Sequence, residues 1–182
     1  FRFQNDKRPH LAVVIAEDRY LAEDALDHID IKYNPIEAVI KTMDAAEEGA
    51  PLVHEAAGSN VVSRRDFSYG EPEKAFAEAD RIIENTVDYP RNSQTPLEGF
   101  VVVANYLPGE ESYDILSNFQ GPFTVHPVMS KALKCKGSQL RMRSPAYSGG
   151  GFGVKQAIFP YVVLMCVAAR KTGRPIKWVE DR

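Results

Sequence analysis

Ser148-Gly149-Gly150-Gly151-Phe152-Gly153-Val154-Lys155 is the stretch on which the reading of this chain turns. Before it, residues 139–143 have the character of a short strand. After it, residues 156–171 are mostly apolar and helix-length, with Gly173 and Pro175 as stop signals. Four glycines among residues 149–153 give up conformational entropy, a cost tolerated where a backbone must approach a ligand closely or take positive φ. Loop N–H groups and the dipole of a following helix together favour an anion. Two readings stay open here: contact with a ligand, and a tight turn beneath a packed aromatic. A phosphate-binding P-loop is excluded because it ends in Gly-Lys-Ser/Thr. A dinucleotide fingerprint is excluded because its last glycine falls on Val154.

Upstream, strands are predicted over 81–87, 100–105 and 112–117, the last two joined as antiparallel neighbours by the turn Leu107-Pro108-Gly109-Glu110-Glu111. A helix is expected over 125–133, with Pro127 confined to its first turn. A further strand begins at Ile176, without an evident partner. Toward the start, the apolar run Leu11–Ala16, the helical spacing of Tyr20, Leu21, Ala25, Leu26 and Ile29 behind an Asp18 N-cap, and the extended segment 30–33 predict a strand–helix–strand unit. Residues 36–49 are expected to be helical and 50–72 an irregular connection of domain-junction length. Pro72 opens a short helix to Ala79. The mixture is α+β, without internal repeats.

The chain has 182 residues, 44% hydrophobic and 26% charged, enough to bury a real core and incompatible with global disorder. No apolar run reaches the about 18–20 residues that span a bilayer. Residues 1–6 show no signal-peptide pattern, and two cysteines make no disulfide framework. A cytoplasmic setting is expected. Net charge is −3, unevenly shared: residues 1–120 carry 11 basic and 23 acidic side chains, residues 121–182 carry 11 and 2. Such asymmetry fits mutual docking or a solvated face, a small anionic ligand, or nucleic acid; no nucleic-acid-binding signature supports the last. Phe1 is no initiator and the chain stops as a strand begins, so a piece of a longer protein is expected.

Two further features bear on chemistry. Asn118-Phe119-Gln120-Gly121-Pro122 closes a strand, and Gln120 there either grips an oxo or amide group or satisfies a turn. Glu98 in Thr95-Pro96-Leu97-Glu98 reads as a carboxylate that bonds a loop. His10, His28, His54 and His126 show no metal spacing, and no Gly-x-Ser-x-Gly elbow suggests a serine hydrolase.

In order, Pro96-Leu97-Glu98, Asn118-Phe119-Gln120-Gly121-Pro122, the glycine stretch 148–155 and Gly173-Arg174-Pro175-Ile176-Lys177-Trp178-Val179-Glu180-Asp181-Arg182 resemble the molybdenum hydroxylases, the xanthine dehydrogenase and aldehyde oxidase superfamily. Residues 12–25 resemble the end of that family's α/β-hammerhead domain. The closing residues lean toward the carbon monoxide dehydrogenase large chain. The resemblance implies the end of a hammerhead domain over 1–40, a connecting segment over 41–72 and the first part of a molybdopterin-binding domain over 73–182. It places Gln120 and Phe152 beside molybdenum without ligating it. Gly121, Gly150, Gly151 and Gly153 fall against the pterin, and Gln156 in the substrate pocket. Implied cofactors are molybdenum–molybdopterin in its cytosine dinucleotide form, with [2Fe-2S] and FAD on iron–sulfur and flavin partner subunits of an oligomer.

Departures narrow the reading. Gln156 stands where purine-oxidising members carry glutamate, Gln94-Thr95 where a histidine often precedes Pro-Leu-Glu, and Gly121 and Phe123 where carbon monoxide enzymes have Ala and His. The general base and the cysteine-bearing loop are expected beyond Arg182, so residues 1–182 alone are expected to be inactive and to hold no catalytic residue. The implied activity is oxidoreduction of an aldehyde, N-heterocycle or carbon monoxide using water-derived oxygen. The alternative is a non-catalytic assembly module of the same fold.

Overall fold

Val102 and Ala104 are fully buried while Val101, Val103 and Asn105 are half-buried, the period-two signature of a strand covered on one face. The computed structural model describes residues 11–90, 92, 94–156 and 159–181. In chain order its elements are α1 (Arg19–Leu26), α2 (Thr42–Ala46), α3 (Pro72–Glu78), β1 (Val101–Leu107), β2 (Ser112–Ser117), α4 (Pro122–Leu133), β3 (Leu140–Arg143), α5 (Phe159–Thr172) and β4 (Ile176–Val179). These residues fall into two compact units, one made of the residues up to Ile29 with those from Pro90, the other of Asp30–Tyr89.

In the first unit the sheet order is β3-β2-β1-β4. β1 pairs antiparallel with β2, Val103 opposite Leu116 and Tyr106 opposite Tyr113. β3 runs parallel to β2, an arrangement that requires a crossover, and α4 supplies it. Strand β4 does have a partner: it pairs antiparallel with β1, Val102 opposite Trp178. Trp178 stacks on Tyr161 of α5 at 5.1 Å. The covered face of β1 and β2 presents Val102, Ala104, Tyr113 and Ile115 to Val125, Met129 and Leu133 of α4 and to Val162, Cys166 and Ala169 of α5. Spacings of four and three or four residues place each helical set on one stripe. Complete burial of one such branched side chain contributes roughly 1.5–3 kcal/mol, so this cluster anchors the unit.

Several sequence expectations are corrected. Leu11–Ala16 and 30–33 form no strand among the described residues, since neither pairs with any strand of the sheet; what remains of that unit is α1, capped by Asp18, whose Oδ1 accepts from the Leu21 N–H at 2.9 Å. The helix expected over 36–49 shrinks to α2, since Ile36 and Ile40 are 84% and 90% exposed and bury no face; so short a helix has little intrinsic stability. Residues 81–87 are not a strand, their Ile82, Ile83 and Val87 lying exposed. Helix α4 starts at Pro122, three residues early, which puts Pro127 inside the helix rather than in its first turn. Gln156 lies in a turn, not in the last helix, and Ala157 and Ile158 lie outside the described residues. Strands β1, β2 and β3, the turn between β1 and β2, α3 with Pro72 in its first turn and the stop at Gly173 fall where the sequence puts them, within a residue or two.

Candidate functional site

Two segments converge on the glycine loop, 148–156 before α5: residues 96–98 ahead of β1 and 118–121 after β2. Glu98 ties them together. Its Oε2 accepts from the Gly149 N–H at 2.8 Å, and its Oε1 accepts from Asn118 Nδ2 at 2.5 Å and from Lys155 Nζ. Asn118 is itself saturated, donating to the Gly99 carbonyl at 2.9 Å and accepting from the Val101 N–H at 3.1 Å. The ammonium of Lys155 is the main reason the Glu98 carboxyl is held down to about 2, with the Asn118 amide second and the Gly149 N–H adding to both. The Lys155 side chain is only 1% exposed. The role anticipated for Glu98, bonding a loop, is the role it has.

Gln120 holds the other side of the loop. Its backbone N–H donates to the Lys155 carbonyl at 3.2 Å, and its Oε1 accepts from the Gly153 N–H at 2.7 Å. That bond fixes the orientation of the amide, leaving Nε2 as a two-hydrogen donor with no hydrogen-bond partner among the described residues. Contact is close: a Cβ on Gly151 would lie 2.6 Å from Gln120 Oε1, and one on Gly149 2.5 Å from Glu98 Cβ. At Gly149 space alone requires glycine, whereas at Gly151 a side chain would push the Gln120 amide out of place. At Gly153 the reason is different, since its φ of +92° suits no branched side chain.

Phe152 is the anomaly. It is a non-glycine residue at φ 49°, and its side chain is 70% exposed. Both the left-handed backbone and an aromatic ring in water are unfavourable, a combination that marks functional loops. Gly150 lies beneath the ring, which would pass 3.2 Å from a Cβ there. Gln156 sits alongside, its Nε2 donating to Thr124 Oγ1 at 3.0 Å while Thr124 donates to the Gly121 carbonyl at 2.7 Å.

All seven residues singled out from the sequence (Gln120, Gly121, Gly150, Gly151, Phe152, Gly153 and Gln156) thus share one loop cluster. The sequence reading did not assign Lys155 or Asn118 to the site; the signal for Lys155 was a cation closing a glycine stretch just before an apolar segment. The histidines go elsewhere: His126 Nε2 is 3.0 Å from the Leu140 carbonyl and His28 Nδ1 is 3.1 Å from that of Asp24, while His10 lies outside the described residues. Burial pushes the Cys166 thiol up to about 12, so it is no nucleophile. No group of three His, Cys, Asp or Glu side chains among the described residues can hold a metal ion. What the cluster offers is an open face with one free amide donor, an exposed aromatic ring and closely approachable backbone. That set suits a flat ligand bearing oxygen acceptors.

Comparison with known proteins points the same way. The profile of the molybdopterin cofactor-binding domain matches residues 53–182. The carbon monoxide dehydrogenase large chain of Hydrogenophaga pseudoflava is 35% identical over 185 residues, covering 94% of this chain and 23% of that protein. The nicotine 6-hydroxylase large subunit of Paenarthrobacter nicotinovorans is 31% identical, with 94% and 21% covered. The crystal structure of quinoline 2-oxidoreductase from Pseudomonas putida 86 superposes with a TM-score of 0.79 at 30% identity, covering 91% of this chain and 21% of that one. The chain spans between a fifth and a quarter of the length of these relatives. It belongs to the molybdopterin cofactor-binding domain family.

Proposed function

We propose that residues 90–181 form the part of a molybdenum hydroxylase large subunit that receives the metal end of molybdopterin. The observation that carries this reading is Gln120: its Oε1 is held by the Gly153 N–H, so its Nε2 is preorganised as a donor over an open face beside Phe152. The residues present fit the group. No protein ligand set is needed where the metal arrives on the pterin's own donor atoms, and the cluster provides none among its described residues. When bound, the cofactor supplies the redox chemistry, transferring water-derived oxygen to an aldehyde, N-heterocycle or carbon monoxide.

The chain's own residues do the rest. Gln120 Nε2 donates to an oxygen acceptor and needs no reorganisation, because Gly153 already fixes the amide. Phe152 offers its ring, and the absent side chains of Gly150, Gly151 and Gly153 let ligand and backbone approach; Gly121 turns the chain from Gln120 into α4. Gln156, with Nε2 committed to Thr124, presents a neutral oxygen acceptor to substrate, which favours a non-purine substrate. The same reading makes residues 1–40 the end of a hammerhead domain, 41–72 a connection and 73–182 the start of the cofactor domain. It also makes the complete enzyme a cytoplasmic oligomer with the cytosine dinucleotide cofactor and with [2Fe-2S] and FAD on partner subunits; that the relatives are a large chain and a large subunit supports partners.

The test is Gln120→Ala in the full-length protein. Loss of one preorganised donor is expected to cut turnover by about 10²–10³ with molybdenum content retained. Parental turnover at parental molybdenum content overturns the assignment.

A further inference from the structure

A lysine that closes a glycine-rich loop reads as an anion ligand, yet Lys155 is turned inward. Its side chain is 1% exposed and its ammonium donates to Glu98 Oε1, while Oε2 of the same carboxylate accepts from the Gly149 N–H. One carboxylate thus grips both ends of the segment 149–155. A third donor, Asn118 Nδ2, joins the same carboxylate to the end of β2, and the Lys155 carbonyl receives the Gln120 N–H. Gln120, whose amide faces the open side, is therefore positioned through the residue that Glu98 holds. Lys155 is buried and Glu98 half-buried, so removing the carboxylate leaves a buried ammonium uncompensated, whereas removing both residues' charges leaves none. The two residues are coupled through the loop they close.

We propose that Glu98 and Lys155 form a latch that keeps the glycine loop in its ligand-receiving form, with Lys155 a positioning residue whose ammonium does not touch the cofactor. The inference deepens the proposed function, since the form it preserves is the one read as receiving molybdopterin.

The test uses the full-length protein carrying Glu98→Gln, Lys155→Met or both. In cofactor-free protein, amide hydrogen exchange over residues 148–156 is expected to be about tenfold faster in each single variant, as for loss of one ordinary hydrogen bond, with β1 and α5 unchanged. In protein isolated with cofactor, molybdenum content is expected to fall several-fold in both single variants and to recover partly in the double variant, because coupled residues are not additive. Loss of molybdenum in Lys155→Met with parental loop exchange overturns the proposal in favour of a direct ligand contact. So do additive losses in the double variant. Should Lys155→Met fail to fold, Glu98→Gln alone decides, since it preserves size and shape: parental exchange over 148–156 overturns the latch. Faster exchange in a protein that never contains molybdenum leaves the latch standing and overturns the cofactor reading instead.

Discussion

Residues 90–181 and residues 30–89 are built on different principles. The first segment buries Val102, Ala104, Ile115, Met129, Val162 and Cys166 to 2% exposure or less, and the site loops hang from that core. The second has no buried residue, and its Ile36, Ile40, Val62, Phe67 and Tyr69 are all more than 80% exposed. What orders part of it is a polar staple. Asn60 Nδ2 donates to the carbonyls of Ala45 and Pro51 at 3.0 Å each, and its Oδ1 accepts from the Val53 N–H at 2.8 Å. The lesson is that apolar residues at helical or strand spacing define an element only when a surface exists for them to bury against.

The contrast can be attacked first at the glycine loop. Gly153→Val forces a β-branched residue to φ +92°, and cofactor loading of the full-length protein, read as molybdenum per chain, is expected to be lost while the core of β1 and α5 keeps its thermal unfolding. Normal loading would reduce the loop to a structural turn. Next comes the core. Ile115→Ala is expected to destabilise the protein by about 2–5 kcal/mol, whereas Val62→Ala, at a side chain 95% exposed, should stay within about 0.5 kcal/mol, both measured by denaturant unfolding. A large cost at Val62 in the full-length protein would break the comparison and show that 30–89 is covered by other residues.

Acid titration sharpens the same contrast at the latch. The carboxyl of Glu98 sits at about 2 in the folded protein against an ordinary 4.5. A depressed value means that its contribution is fully present above pH 4.5 and drains away as pH falls toward 2. Glu98→Gln should flatten that part of the stability–pH curve, lowering stability by a constant amount between pH 5 and 8 and converging on the parent in acid. An unchanged acid limb would remove Glu98 as its source. A small and local loss is expected at α1, where Asp18→Ala removes the N-cap bond to Leu21, at about 1 kcal/mol, visible as fraying of that helix alone by amide exchange.

How much was legible follows from the same physics. β1, β2 and β3 were readable because alternation and turn residues are local signals, and the glycine stretch because its composition has few structural excuses. The strand at Leu11–Ala16 and the helix over 36–49 were misread because their apolar residues looked like core, and whether a partner surface exists is not written in the segment. The start of α4 was missed because Pro127 seemed to demand a first-turn position; Pro122 takes that place instead, after Gly121 in the left-handed region. At the site, the candidates on the open face were legible as a motif. The inward turn of Lys155 was not, since a lysine after glycines looks the same in sequence whether it faces a ligand or a half-buried carboxylate of its own chain.

The central claim is that Gln120 and the glycine loop form a surface shaped for molybdopterin, and a pair of alanine substitutions tests it most directly. A Cβ at Gly151 would lie 2.6 Å from Gln120 Oε1, whereas one at Gly109, in the β1–β2 turn, meets nothing within 4 Å. Turnover per bound molybdenum, measured in the full-length protein, should match the parent in Gly109→Ala and fall sharply in Gly151→Ala, where the new methyl displaces the Gln120 amide, with thermal unfolding of both near the parent. Equal turnover of the two variants would contradict the account.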